Sequence, residues 1–323
     1  MKKRWAALLC AAALVFSLAA CGGPAGSASH NEDSGSLRIL ATTYPVYCFT
    51  QAVTEGVDGV EVHLMIDQQV SCLHDYTLSV NDMRAIEGAH VIVINGAGLE
   101  DFMADALAFS DAPVIDCSEG IELLPYAGHE DHDHAALEAD SGHFDPHIWM
   151  DPSRAAQMAE TIAGTLADLD PAHADAYLQN GAAAAARYRA ISADGYALLH
   201  GEENAPLYGM ITFHDGFAYF ADAFGLTLLR SIEEEAGSEA SAKDIVEIVT
   251  LVREEQIPMI FVEENGSDAT AKAIQRETGT ALGTLTMMMG DNGKSYEENM
   301  EQNIKTVQSG LTAPPAQELE EYE

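Results

Sequence analysis

PAHADAYLQNGAAAAARYRAISADGYALLH, residues 171–200, decides how the rest of the chain divides. Asp170 before it is a good N-cap, and Pro171 suits a first helical position. Ala182 to Ala186 is a strong helix-forming run. Tyr177, Gly181, Ala184, Tyr188, Ile191, Gly195 and Leu198 recur at alternating steps of four and three. That spacing makes one stripe along a helix of roughly 45 Å. The small residues in the stripe let other elements pack close. Each glycine weakens the helix by only about 1 kcal/mol, so one long helix is expected rather than two broken at Gly181 or Gly195.

The same rhythm stands on both sides of this segment. Before it come LRILATTY, VEVHLMI, HVIVING and APVIDC, each followed by helix-like sequence or a loop leading to it. After Pro206 come LYGMITF, LTLLRSI, PMIFVEE and ALGTLTMMM. Such runs read as apolar on both faces, as parallel strands covered by helices must be. Two βα sets in series predict two α/β domains, residues 37–170 and 201–312, joined by the helix at 171–200. The roughly 275 residues between the leader and the acidic end 313–323 suffice for two ordinary cores.

The leader is read separately. MKKR followed by an apolar run and Leu18-Ala19-Ala20-Cys21 reads as a secretory signal over residues 1–20. The ending resembles the lipobox of bacterial lipoproteins, which implies cleavage before Cys21 and lipid on its sulfur. Residues 22–36 are Gly/Ser-rich and read as a flexible tether that spaces the body on the order of 20 Å from a membrane. No other stretch is long and apolar enough to span a bilayer. The formal charge of −37 repels nucleic acid and anionic lipid head groups and attracts cations only diffusely. Cys48, Cys72 and Cys117 are too scattered for a disulfide scaffold, and no CxxC pair suggests a zinc ribbon.

Ligands of open α/β domains gather at the carboxyl ends of the strands, which directs attention to three histidines. His214 follows the strand LYGMITF and is expected to open the helix DGFAYFADAF, where a positive potential favours neutral imidazole, the form that binds metal. His74 lies in SCLHDYTLSVNDMRAI, in the loop before a helix that Ser79 and Asp82 open as a capping box. His147 sits in FDPHIWMDP: Pro146 restricts Asp145, and Asp151-Pro152 starts the next helix, so the backbone is fixed from both sides. His63, inside a strand, reads as a packed or surface side chain. The segment GHEDHDH with His143 behind it supplies His129, His132 and His134 in an acidic, solvated loop over residues 128–143.

CLHDYTLSVNDM, DPHIWMDP and TFHDGFAYFADAFGL, in that order, resemble the metal-site motifs of the cluster A-I solute-binding proteins. These are the zinc and manganese receptors of bacterial metal ABC importers. GSEASAKDIVEIV and IPMIFVEE resemble the same family's C-terminal half. The resemblance implies two α/β domains with mainly parallel four-stranded sheets, joined by one long rigid helix, with a metal site in the cleft between them. It implies His74 and His147 as ligands from the first domain and His214 from the second. Manganese-preferring members place a carboxylate where His214 stands, so imidazole there leans the reading to Zn²⁺. It also implies His129, His132, His134 and His143 as a mobile auxiliary loop that collects zinc, with a plain acidic loop as the alternative.

The match departs in one place. The family often supplies a fourth ligand, an aspartate just past the last strand. Here that segment is LTMMMGDNG, with Met287 at or near the position and Asp291 a few residues later. Water, Glu263 or Glu264 could complete the shell, with water or Glu263 favoured. Cys48 and Cys72 each follow a strand and could pair as a disulfide bracing the His74 loop, or Cys72 could remain a thiol touching the metal.

The expected function is an exported receptor that captures Zn²⁺ and delivers it to an ABC permease and its ATPase. It works as a monomer, leashed through Cys21 to the outer face of the cytoplasmic membrane or held in the periplasm, with no nucleic-acid partner. A manganese or copper receptor is the first alternative. A zinc hydrolase is the second, disfavoured because there is no HExxH helix and no placed general base. A surface adhesin that carries metal is the third.

Overall fold

The computed structural model describes residues 36–67, 76–125, 144–201, 209–233, 240–264 and 269–311. Outside them lie the signal segment 1–20, Cys21 and the tether up to residue 35, and the acidic end 313–323. Also outside are His74, Cys72, His129, His132, His134 and His143.

All eight expected strands form. The first sheet contains β1 (Leu37–Ala41), β2 (Val60–Leu64), β3 (Val91–Ile94) and β4 (Val114–Asp116), in the order β2-β1-β3-β4. The second contains β5 (Met210–His214), β6 (Leu228–Glu233), β7 (Met259–Glu263) and β8 (Ala281–Leu285), in the order β6-β5-β7-β8. Every pairing in both sheets is parallel. Ile39, Leu40 and Ala41 are buried in succession, as helices on both faces require. The edge strand β2 departs from that expectation: it alternates, with Glu61 and His63 turned outward. His63 is a surface residue, 3.6 Å from Glu61.

Nine α-helices connect the strands among the described residues. They are α1 (Tyr44–Thr54), α2 (Val80–Gly88), α3 (Ala104–Ala108), α4 (Pro152–Leu169), α5 (Ala174–Leu199), α6 (Ala218–Ala223), α7 (Ala242–Glu254), α8 (Ala269–Thr278) and α9 (Tyr296–Leu311). Local chemistry sets several boundaries. Ser79 and Asp82 form the expected reciprocal capping box of α2, and Ser241 and Asp244 form another on α7. Asp151 caps α4 by accepting from the N–H groups of Ser153 and Arg154.

The long helix α5 is continuous for 26 residues, about 39 Å at the usual rise. It starts later than expected, at Ala174. Asp170 does not cap it; its Oδ2 instead contacts the His173 ring nitrogen at 2.7 Å and accepts from the Tyr177 hydroxyl at 2.9 Å. Gly181 and Gly195 do not break the helix because each is a place of close approach. A Cβ on Gly181 would stand 2.4 Å from Ala163 Cβ on α4, and one on Gly195 would stand 2.7 Å from Phe224 and 2.8 Å from Ile304. The stripe drifts at its end: Leu199 is buried, whereas Leu198 is exposed.

The larger core runs from the first sheet through α4 and α5 to the facing side of the second sheet. A smaller one, with Ile211, Ile248, Val252, Ile260 and Ile274, lies under α7 and α8. No helix among the described residues is long and apolar enough to cross a membrane.

Candidate metal centre

In both sheets the strand order reverses beside the first strand, so the crevice outside the carboxyl ends of β1 and β3, and of β5 and β7, is where such folds bind ligands. His214 is the last residue of β5. It does not open a helix as expected: Asp215, Gly216 and Phe217 intervene, and α6 begins at Ala218. Its placement comes from the strand, and it is 3% exposed.

His147 arrives from the other side. Pro125 and Phe144 form an isolated antiparallel bridge, the Asp145 N–H donates to Leu124 O, and a short 3₁₀ turn, Ile148–Met150, follows. Asn95, just past β3, donates from Nδ2 to Pro146 O at 2.9 Å. Asp145 Oδ1 accepts from the His147 main-chain N–H at 2.9 Å and lies 2.7 Å from its ring Nδ1. Asp145 and His147 are both buried. This orients the ring and leaves Nε2 as the nitrogen for another partner, as second carboxylates do for metal-binding imidazoles.

The two rings meet. Their centroids are 5.3 Å apart with planes at 89°. A Cβ built on Gly216 would lie 2.9 Å from His214 Cδ2 and 3.1 Å from His147 Cε1, the carbons that neighbour Nε2 in each ring. The same point is 2.4 Å from Met287 Cε. Two buried imidazoles around a space that only glycine leaves open fit a cation of the borderline class.

Other expected residues are distributed differently. Glu263 ends β7, the strand beside β5, and is buried. Glu264 is exposed. Asp291 is exposed and accepts from the Gly293 N–H at 2.8 Å. Among the described residues no three His, Cys, Asp or Glu side chains form one metal-sized cluster, Glu263 included. The expected third imidazole, His74, and the His129–His143 loop lie outside those residues. Cys48 sits half-buried on α1, where burial pushes its thiol up to about 12; Cys72 is outside the described residues, so the pairing is not described.

The halves are tied around the pair. Trp149 Nε1 donates to Met287 O at 2.9 Å, and the Tyr296 hydroxyl donates to Trp149 O at 2.8 Å. Arg154 on α4 reaches Asp222 on α6 at 2.7 Å and lies over the Tyr219 ring. Sequence reasoning missed Asp145 and Gly216 as site residues. An Asp two positions before a stiffly held His was the available signal for the first. Nothing local signals the second, because two of its neighbours, His147 and Met287, come from distant segments.

A family model described as zinc-uptake complex component A, periplasmic (ZnuA), matches residues 39–310. The chain is 30% identical over 310 residues to the zinc-binding lipoprotein AdcA of Streptococcus pneumoniae serotype 4, covering 93% of this chain but 60% of that protein's length. It is 27% identical to the high-affinity zinc uptake system protein ZnuA of Bacillus subtilis, covering 96% of this chain and 99% of the relative. Among solved structures, a zinc(II)-bound mutant variant of AdcAII of S. pneumoniae superposes with a TM-score of 0.74 at 28% identity, covering 86% of this chain and 99% of that one. The nickel complex of FpvC from Pseudomonas aeruginosa superposes at 0.71 and 29% identity, covering 85% and 97%. The chain belongs to the ZnuA family of extracytoplasmic metal-binding receptors, which are transport proteins and not enzymes.

Proposed function

We propose that this protein captures Zn²⁺ outside the cytoplasm and hands it to an ABC permease. The observation that carries the reading is the facing pair His147 and His214, buried 5.3 Å apart, with Asp145 fixing one ring. His74 is the third ligand of this reading, and water or Glu263 completes the shell. Residues 37–170 and 201–312 act as the two lobes and 171–200 as the strut between them. The lipid at Cys21, the monomeric state and zinc collection by His129, His132, His134 and His143 belong to the same proposal.

Zinc is preferred over manganese because imidazole is a softer donor than carboxylate. The zinc-binding AdcA and ZnuA relatives support this choice. FpvC, solved with nickel, shows why the metal has to be measured. Competitive titration of the metal-free body with Zn²⁺, Mn²⁺ and Cu⁺ tests it, beside His74→Ala, His147→Ala and His214→Ala. One zinc per chain, weakened about a hundredfold or more by each substitution, is expected, since each removes one of few ligands. Wild-type zinc affinity in both His147→Ala and His214→Ala would sink the reading.

A further inference from the structure

We propose that Met287 sets the metal preference of this site by filling space beside the imidazole pair that additional oxygen donors would otherwise take. The inference rests on His147 and His214 being ligands. Met287 is 4% exposed, and its methyl end, with the two imidazoles, closes on the empty side of Gly216. A thioether therefore occupies space beside both rings. Glu264 and Asp291 are exposed.

The placement of Met287 is held from several directions. Trp149 Nε1 donates to its carbonyl oxygen. Just before it, Thr286 exchanges two hydrogen bonds with the buried Asn303: its N–H donates to Oδ1 at 2.9 Å and its O accepts from Nδ2 at 2.8 Å. Just after it, the Met288 N–H donates to Thr286 Oγ1 at 3.1 Å, with Met288 in the left-handed region at φ +57°. A side-chain-bearing residue there is unfavourable and persists only where its surroundings over-determine it. The segment is thus built to present Met287 inward.

The chemical consequence is discrimination. Mn²⁺ and other hard cations require several oxygen ligands, including waters. A buried methyl beside the imidazoles crowds out the several oxygen ligands such a cation needs, while a single water or Glu263 still completes a four-coordinate zinc shell. Zn²⁺ needs only four ligands and accepts nitrogen donors. Met287 acts here by occupancy and not as a sulfur ligand.

Equilibrium competition between Zn²⁺ and Mn²⁺ on the metal-free protein tests this, using wild type, Met287→Ala and Met287→Leu, with zinc-edge X-ray absorption on the loaded wild type. Met287→Ala is expected to shift the affinity ratio toward Mn²⁺ by about tenfold or more. Leu, which refills the space without sulfur, is expected to rescue the ratio to within about threefold of wild type. The absorption spectrum is expected to show only nitrogen and oxygen neighbours. An unchanged ratio in a cooperatively folded Ala variant, failure of Leu to rescue, or a sulfur shell near about 2.3 Å would each overturn the proposal. The absorption arm uses wild type and stands even if the Ala variant does not fold. His147→Ala distinguishes the two levels: zinc bound undiminished there removes the site itself, whereas the Met287 outcomes bear on preference alone.

Discussion

Trp149, from the segment that carries His147, donates its indole N–H to the main-chain oxygen of Met287, 138 residues later. One hydrogen bond thus ties the first-half ligand segment to the loop after the last strand of the second half. Trp149 is fully buried, so Met287 O has no solvent substitute. Trp149→Phe keeps most of the ring and removes the donor. It is expected to cost about 1–3 kcal/mol, read by urea unfolding, while zinc still binds. Unchanged stability would show that the bond does not couple the halves.

Asp145 is a positioning residue for His147. Asp145→Ala leaves the imidazole in place but frees its orientation. Zinc affinity is expected to fall about 10–100-fold, and titration against a competing chelator would show it. A conservative Asp145→Asn, which keeps an oxygen near Nδ1, is expected to recover part of the loss.

Gly216→Ala tests the closeness of the site directly. The added Cβ would overlap Met287, His214 and His147, so at least one imidazole must move. A loss of about tenfold or more in zinc affinity is expected, because a ligand set loosened by tenths of an ångström is a poor one. Stability should change less than affinity, and the pair of measurements separates displacement of ligands from a general fold defect.

Glu100 predicts a pH dependence. It is buried and accepts from the Thr42 hydroxyl and the Asn95 and Gly96 N–H groups, pinning the ends of β1 and β3 together. Burial pushes its carboxyl up from 4.5 to about 7, against those three donors. The folded chain then keeps a proton that the unfolded chain releases near 4.5. Stability therefore declines as pH rises from about 4.5 to about 7 and levels above it. The decline attributable to this group is on the order of 3 kcal/mol. Glu100→Gln cannot ionise, so the difference between wild type and this variant should grow across that window. A difference that stays flat from pH 4.5 to 8 would contradict the shift.

Much of the fold was legible. The eight strands were readable because parallel strands covered on both faces leave short apolar runs between helices. The long helix was readable because its stripe recurs at helical spacing. β2 was misread in detail: an edge strand carries the same kind of residues, and only its neighbours decide which face meets water. The start of α5 was misplaced because Asp170, a good cap by type, has His173 and Tyr177 within reach and bonds to them instead.

By itself the sequence determined the two βα halves, the helix between them, and the candidate imidazoles at a strand end and beside Trp149. These follow from local periodicity and from proline and capping chemistry, which act over a few residues. Tertiary structure alone decided that His147 and His214 face each other, and that Gly216 leaves room where Met287 reaches in. Those relations join atoms from segments far apart in the chain. No spacing rule encodes such distances; packing of the two halves against the shared helix does.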